Sequence, residues 1–454
     1  MKQNKKLTGW RTSPLVLFAA TLGLAFFVSG SAAAADPAAI DWSKISTKTV
    51  KLFYPGQSSH QWMRSPAHKR ADKKSKAGDS CISCHEDEES EIGDLIATGK
   101  KLEPTPPPAK PGSIDLEVQA AYDSKNAYLR FRWKTKNPFP GDAHPHWRFD
   151  GKAWKGYGGP RLTKSVYTGQ TPPIYEDRLS MMIDDGGVPM FAAQGCWLTC
   201  HDGGRDMQGV VSADRVKAHS LLGKVLKKKD VRKYLPASRG DKKSTWDKTK
   251  SVEEIARIKA AGGFVDLMQW RAHRSNPIGM ADDGYVLEYR LFDAGKKMFF
   301  KNKDAKTGLP KFMYDANKVG VKAIRAEDLR VAGKPQQLIE GVNAVPFDAG
   351  AGWKEGDLIP EYVLTRAVQG SAGDNNNVKG TWKDGAWTVV WARPMNLNNP
   401  DDKPFKDGAV VNVGFAVHDD NITTRGHHVS FSMSLGFGVK ADITAVKLGA
   451  ALGG

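Results

Sequence analysis

The sequence predicts a mainly β protein: an antiparallel β-sandwich with helical insertions, preceded by a small polar segment. Three observations predict this architecture. Apolar and polar residues alternate over several stretches, a proline-rich segment separates these stretches from the first part of the chain, and that first part carries runs of charge. A chain of 454 residues is long enough for two or three domains and a sizeable core.

Strands are predicted where the alternation has a period of two. Residues 114–122 show it, and so do residues 129–133 after an Asp-Ser-Lys-Asn turn, so these two stretches predict a hairpin with one buried face. Further strands are predicted at 285–292, 386–393, 409–418 and 428–436. Helical patches interrupt them at about 213–236 and after Ser251, where a capping box opens a helix that runs to Gly262.

The chain before the predicted sandwich divides into two segments. Residues 36–103 are too few and too polar to fold without a cofactor as part of their core. Residues 104–112 read Pro-Thr-Pro-Pro-Pro-Ala-Lys-Pro-Gly, which is typical of a stiff linker. The sequence therefore predicts a domain boundary at 104–112 and a sandwich domain over 113–445.

The first 35 residues have the pattern of a secretory signal peptide. A basic stretch precedes an apolar run over residues 15–28, and Ala33-Ala34-Ala35 then precede Asp36. The run is shorter than the ~20 apolar residues of a membrane span, although an uncleaved anchor is the alternative. The sequence predicts a periplasmic protein with no membrane span after the signal is removed.

Four cysteines occur in the chain, as two close pairs that are each followed by a histidine. The first pair reads Cys81-Ile-Ser-Cys84-His85. This spacing is typical of haem c attachment, because two thiols bond to one haem and the next imidazole can bind its iron. A redox-active pair or half of a zinc site is the alternative, but no second such pair lies nearby to complete a zinc tetrahedron.

The second pair, Cys196-Trp-Leu-Thr-Cys200-His201, has one more residue between its cysteines. Attachment of a haem here needs a local bulge that accommodates the extra residue, and a disulfide is the alternative. The adjacent His201 and the first motif favour haem. The sequence thus predicts two covalently attached haems c, with His85 and His201 as proximal ligands.

Several motifs resemble those of the ethylbenzene dehydrogenase-related family of haem-binding proteins. They are Leu52-Phe-Tyr-Pro-Gly-Gln57, Glu176-Asp-Arg-Leu-Ser-Met-Met182, Gly195-Cys-Trp-Leu-Thr-Cys-His201, Gln269-Trp-Arg271 and His427-His-Val-Ser430. The longer-spaced cysteine pair is the most specific of them. This family is similar to the haem subunit of periplasmic molybdenum oxidoreductases. The resemblance covers most of the mature chain and implies a β-sandwich haem domain and electron transfer.

The resemblance also implies ligands for the second iron. In b-type relatives a methionine and a lysine bind the iron; here Met182 matches the methionine, and His427 occupies the place of the lysine. Together with His201, three side chains compete for two axial positions. The alternation of side chains along a strand predicts that Met181, rather than Met182, points inward. In the last predicted strand, it places His427 on one face with four apolar residues: Val429, Phe431, Met433 and Leu435.

The sixth ligand of the first iron must come from outside its cysteine motif. His68 and His60 are nearest in sequence, and both lie in a segment with little core of its own. We expect His68 to bind, with His60 as the alternative; a solvated surface histidine is the third interpretation. His144, His146 and His273 are interpreted as polar surface or hydrogen-bonding residues.

These features favour electron transfer over catalysis. In an intracellular protein, a formal net charge of +17 suggests binding to nucleic acid. For an exported chain, the same charge favours an encounter with an acidic redox partner or an anionic membrane surface. The expected partners are redox proteins, such as a molybdenum oxidoreductase or a membrane-bound cytochrome. Two alternatives remain open: a haem enzyme that acts on a small inorganic substrate at an open second haem, and a haem subunit that docks a molybdenum oxidoreductase.

Overall fold

Alternating apolar residues form long, mainly antiparallel strands in a computed structural model of the chain, which describes residues 37, 40–69, 71–292, 295, 297–331, 333–365, 377–396, 399–423 and 425–449. The predicted signal peptide, residues 1–35, lies outside them. The strands are β1 (Lys48–Phe53), β2 (Ser113–Tyr122), β3 (Asn126–Lys134), β4 (His146–Phe149), β5 (Trp154–Tyr157), β6 (Arg178–Asp184), β7 (Val265–Arg271), β8 (Gly284–Val286), β9 (Arg290–Phe292), β10 (Phe299–Lys301), β11 (Phe312–Tyr314), β12 (Leu338–Ile339), β13 (Ala344–Pro346), β14 (Leu358–Pro360), β15 (Tyr362–Leu364), β16 (Val378–Lys383), β17 (Ala386–Pro394), β18 (Val410–His418), β19 (His427–Val429), β20 (Met433–Phe437) and β21 (Ile443–Lys447).

The helices are short. The α-helices are α1 (His60–Met63), α2 (Asp72–Ala77), α3 (Ile82–His85), α4 (Glu89–Ala97), α5 (Lys164–Tyr167), α6 (Phe191–Gln194), α7 (Ala213–Ala218), α8 (Val252–Ala260) and α9 (Ala316–Val319). A π-helical turn spans Ser220–Val225, and 3-10 turns span Trp42–Lys44, Gly195–Thr199, Pro236–Ser238, Asn276–Ile278 and Ala326–Asp328. Among these described helices, none combines the length and the apolar character that crossing a membrane requires.

One large sheet forms both layers of the sandwich. Its strand order is β16-β17-β3-β2-β1-β19-β18-β6-β7-β8-β9, and β20 and β21 bridge β18 to β2. The halves β17-β3-β2 and β18-β6-β7 pack face to face. Between them, the ring centroids of Phe131 and Phe415 are 5.8 Å apart, and those of Trp133 and Trp270 are 6.0 Å apart. The prediction of a mainly β fold with large antiparallel sheets is confirmed.

Three smaller sheets form a second lobe with its own core. Their orders are β14-β4-β5, β10-β15-β12 and β11-β13. Trp147, Tyr314 and Leu358 are buried at its centre. The sequence did not indicate this lobe as a separate unit, since its strands are too short to show a clear alternation.

A bulge changes which side chains of the last predicted strand share a face. Val429 pairs with Ala416 and Met433 pairs with Val413, so the five residues 429–433 oppose the four residues 413–416 of β18. The extra residue reverses the alternation. Val429 and Phe431 pack in a small aromatic cluster, whereas Met433 and Leu435 pack in the main core, so the single apolar face predicted from His427 to Leu435 is wrong.

The segment predicted to precede the sandwich contributes a strand to it. β1 pairs with β2 along its whole length and reaches β19 through Phe53 and Val429. In the predicted linker, Lys110 is buried and its Nζ lies 2.6 Å from the Asp420 carboxylate. Residues on both sides of 104–112 therefore share one core, a long-range pairing that local composition does not reveal.

Helical segments between β6 and β7 cover the outer face of β6, β7 and β18. Met182 and Leu267 of the sheet pack there against Cys196, Leu198 and Leu221. The helix predicted over 213–236 is shorter than expected, because it ends with the π-helical turn at Val225. The capping box is confirmed, since Ser251 and Glu254 cap each other's backbone at the start of α8.

Candidate cofactor site

The second cysteine pair lies in a pocket between the outer face of β6, β7 and β18 and the 3-10 turn Gly195–Thr199. The pocket has a cavity volume of about 200 Å³. All the side chains predicted at the second iron line it: Met182, Cys196, Cys200, His201 and His427. The pocket thus lies outside the sandwich rather than between its layers.

The two faces of β6 explain why strand period and family resemblance pointed to different methionines. Met181 packs in the main core between the layers, and Met182 lines the pocket. Both faces of this strand are buried, so both methionines are inside. Gly414 pairs with Met182 on β18, and a Cβ there would lie 3.3 Å from Cys196 Sγ. The glycine therefore keeps the pocket open beside the cysteine.

His427 faces the pocket with an unused nitrogen. It is half-buried, and its Nδ1 is shielded from solvent with no hydrogen-bond partner among the described residues. His418, its pairing partner on β18, stacks on it at 5.0 Å and also has an unpartnered Nδ1. His418 was not predicted from the sequence; its alternation with Gly414 and Ala416, which also line the pocket, is the pattern that could have indicated it.

His201 is held by hydrogen bonds at both ring nitrogens. Its Nε2 lies 2.8 Å from the Tyr234 carbonyl oxygen, and its Nδ1 lies 3.0 Å from Gln61 Nε2. The ring stacks on Tyr234 at 3.7 Å, and burial holds the pKa of this imidazole well below its usual range. Binding a metal ion through His201 therefore requires the exchange of one of these hydrogen bonds.

His60 lies beside His201. Their ring centroids are 5.3 Å apart, and the backbone N–H of His60 donates to the Cys200 carbonyl at 2.7 Å. Burial lowers the pKa of His60 to about 4. The residue considered as an alternative ligand of the first iron thus lies against the second cysteine motif.

The first cysteine motif brings His85 opposite His68. Their rings are 6.0 Å apart and nearly parallel, at 17°. The Nδ1 of His85 lies 2.8 Å from a Glu88 carboxylate oxygen, and that of His68 lies 3.0 Å from the Met63 carbonyl oxygen. Each imidazole therefore has Nδ1 engaged and Nε2 without a hydrogen bond among the described residues.

This arrangement suits a metal ion between the two imidazoles. Two imidazoles that bind one ion from opposite sides at about 2 Å place their centroids roughly 6 Å apart. A metal-binding histidine usually donates its other N–H to a carboxylate or carbonyl, as Glu88 and Met63 allow here. His68 and His85 thus fit the axial pair predicted for the first iron.

No disulfide joins the four cysteines. Burial raises the pKa of Cys81 and of Cys196 to about 11. Both are therefore protonated at neutral pH, unlike the low-pKa thiolates of redox-active pairs. Cys84 is exposed, whereas Cys196 is buried.

The two motifs are neighbours despite their separation in sequence. The backbone N–H of Cys81 donates to the Ala193 carbonyl at 3.0 Å, just before the second motif. The Phe431 ring lies 6.4 Å from His85 and 5.6 Å from Trp197, the residue after Cys196. Aromatic side chains thus connect the two cysteine motifs.

His144, His146 and His273 are buried, so their interpretation as surface residues is wrong. His273 does make a hydrogen bond, through Nδ1 to the Asp142 carbonyl oxygen at 2.8 Å. Both ring nitrogens of His146 are buried without a partner among the described residues. Their burial arises where the second lobe packs on the sheet, which the sequence did not predict.

The chain is similar to several known proteins. The model of the family described as "Ethylbenzene dehydrogenase" matches residues 39–430. "Cytochrome c-552" of Stutzerimonas stutzeri is 27% identical over 434 residues, which cover 95% of this chain and 98% of that protein. "Cytochrome c-551" of Rhodocyclus tenuis is 30% identical over 181 residues, 39% of this chain and 60% of that protein. The resemblance that the sequence motifs suggested is confirmed.

Proposed function

The chain belongs to the ethylbenzene dehydrogenase family, and from this we propose that it is a periplasmic dihaem c-type cytochrome that transfers electrons between redox partners. The family and the relatives named as cytochromes c support a haem-related role in electron transfer or beside an oxidoreductase. The proposal adds the number of haems, their covalent attachment at Cys81 and Cys84 and at Cys196 and Cys200, and the compartment.

The observation that carries the proposal is the pair formed by His68 and His85. A loop and a helix with little apolar core of their own hold these two imidazoles nearly parallel, each with its Nε2 unused. Six-coordinate iron leaves no position for a substrate, which is the arrangement of an electron carrier. The aromatic contacts from His85 through Phe431 to Trp197 support exchange between the two haems.

A basic protein of this class suits an acidic redox partner. Its formal net charge is +17 before the predicted signal is removed. Opposite charges speed the diffusional encounter of redox proteins without a large permanent interface. A molybdenum oxidoreductase or a membrane-bound cytochrome is the class of partner that the family suggests.

A haem enzyme with an open second iron is the second candidate. One observation favours it: both nitrogens of His201 are hydrogen-bonded, so without the loss of one of these bonds both axial positions are filled only if Met182 and His427 bind the iron together. An iron with a single protein ligand binds a small molecule at its other axial position. Carbon monoxide, which binds only open or labile ferrous haem, distinguishes the two candidates.

Mass spectrometry and difference spectra of the mature protein test the proposal. We expect two haem masses that resist acid-acetone extraction, and a ferrous spectrum that carbon monoxide does not change. His68→Ala should make one haem bind carbon monoxide, while His60→Ala should leave the first iron low-spin. One haem mass, or wild-type protein that binds carbon monoxide fully, would contradict the proposed carrier.

A further inference from the structure

Six cations line the pocket, and no carboxylate is among the described lining residues. The cations are Arg178, Arg205, Arg232, Lys233, Arg290 and Arg425. Taking a charge out of water is costly unless an opposite charge or several hydrogen bonds replace the water. The partner of each cation therefore indicates which of them await a ligand.

Three of the arginines already have carboxylate partners. Arg425 lies 2.6 Å from Glu103, and both Arg205 and Arg232 lie within 3.6 Å of Asp230. Lys233 lies instead against the attachment motif, with Nζ 3.1 Å from Cys200 Sγ. None of these four needs a further anion to explain its position.

Arg178 and Arg290 have no carboxylate partner within the described part of the chain. Arg178 is buried over the Tyr175 ring; among the described residues its side chain makes a long hydrogen bond of 3.5 Å to Thr423 Oγ1, and its Nε has no hydrogen-bond partner. Arg290 donates to Gln269 Oε1 at 3.0 Å. Burial and neighbouring cations lower the pKa of Arg178 to about 10 and that of Arg290 to about 9.

The two arginines belong to one polar row across the pocket floor. Gln269, which accepts from Arg290, donates to Ser180 Oγ at 2.6 Å, and Ser180 is two residues from Arg178 on β6. Together the two guanidinium groups present several unused N–H donors to the pocket. Such donors match carboxylate oxygens in pairs.

Arg178 lies away from the part of the pocket where Cys196 is. Cys196 Sγ lies beside Gly414, which pairs with Met182, and Arg178 is four residues from Met182 on the same strand. At the ordinary rise of a strand, this separation is roughly 13 Å. A flat ligand fixed at Cys196 thus reaches Arg178 with its opposite edge.

We propose that Arg178 and Arg290 bind the two propionate groups of the haem attached at Cys196 and Cys200. The inference rests on the proposed function, because haem carries its two carboxylates on the edge opposite to the carbons that bond to cysteine. Two propionates supply the two negative charges that Arg178 and Arg290 lack.

The experiment compares Arg178→Gln and Arg290→Gln with Arg257→Gln, which removes an exposed arginine of α8. Haem masses and both reduction potentials are measured on the full-length mature protein. We expect two haem masses in every variant, and one of the two potentials to fall in each pocket variant, because a cation that stabilises the reduced haem is lost. Arg178→Lys, which keeps the charge, should retain a potential nearer the wild-type value.

Unchanged potentials in both pocket variants, or an equal fall in Arg257→Gln, would overturn the inference. So would a change in the wild-type haem spectrum on addition of sodium nitrite that both pocket variants abolish, since the arginines would then hold a free anion. Wild-type protein without haem at Cys196 and Cys200 would instead contradict the proposed function. If the glutamine variants do not fold, Arg178→Lys alone tests the inference. A large fall in the reduction potential of this variant, although it keeps the positive charge, would count against the inference.

Discussion

His427 and His201 differ in what a metal ion would have to displace. The Nδ1 of His427 is buried and unpartnered, and an imidazole in that state costs about 1–3 kcal/mol relative to a satisfied one. His201 already has both nitrogens satisfied. On energetic grounds, the free side chain gains more from binding iron than the satisfied one.

We predict that His427→Ala leaves the haem attached but converts the second iron to a high-spin form that binds carbon monoxide. Loss of His427, whose imidazole lines the pocket with an unpartnered nitrogen, opens an axial position. Absorption and electron paramagnetic resonance spectra of the purified variant measure the change. His418→Ala is the matched control, since it removes the stacked neighbour and should keep the low-spin form.

The two methionines of β6 supply a second comparison. Met182 lines the pocket and Met181 faces the main core, so Met181→Ala should lower the free energy of unfolding without altering the haem spectrum. If Met182→Ala opens the site and His427→Ala does not, then Met182 is the sixth ligand and the prediction for His427 is wrong.

At the scale of elements, β1 decides whether the N-terminal segment is separable. It lies between β2 and β19, and its Val50, Leu52 and Phe53 are buried. The proline-rich sequence predicted a boundary at 104–112, but the pairing of β1 gives the opposite expectation for a fragment. Without β1, an edge of β2 and part of the main core would meet water.

We therefore predict that a fragment of residues 111–454 is insoluble or far less stable than the whole chain. Circular dichroism and thermal unfolding of the fragment measure this. A chain with a protease site inserted between Pro108 and Ala109, both exposed, is the control. After cleavage its two pieces should remain associated, because β1 is still paired. A soluble, haem-containing fragment would support the boundary instead.

The elements that the sequence predicted well are those with local signals. The cysteine motifs, the hairpin of β2 and β3 and the capping box of α8 each depend on residues close together in the chain. The misjudged features depend on distant partners. The bulge after Val429 is set by pairing with β18, and the burial of His146 depends on the second lobe. No local pattern contains that information.

The same limit applies to the candidate site. Its covalent anchors and three competing ligands were predicted from motifs, whereas Arg178, Arg290 and His418 were not. These three residues lie on β6, β9 and β18, and the register of these strands brings them together. Strand alternation gives the face of a residue but not its partner across the sheet.

For the whole molecule, the buried histidines of the second lobe couple stability to pH. Burial, and to a smaller extent His273 and Arg330, lower the pKa of His146 to about 3. An unfolded histidine titrates near 6.5. Between these values the unfolded chain binds the proton and the folded chain does not, so stability falls as pH decreases from about 6.5 to about 3 and is unaffected by His146 above that window.

We predict that His146→Phe flattens this acid dependence. The variant keeps an aromatic ring in the same buried place and removes the titrating group, which contributes at most about 1.4 kcal/mol per pH unit. Denaturant unfolding at pH 8 and at pH 5 measures the effect. The free energy of unfolding of the variant minus that of the wild type should be more positive at pH 5 than at pH 8. Equal differences at the two values would refute the coupling.

The burial of Cys196 has a consequence for how the protein is made. Cys84 is exposed and remains reachable in the folded chain, but Cys196 is only 5% exposed beneath the strands and the turn that cover it. On the proposed function, the enzyme system that joins haem to cysteine must therefore act at Cys196 before these strands close. The second haem then enters the chain before the 3-10 turn Gly195–Thr199 packs on the outer face of the sheet.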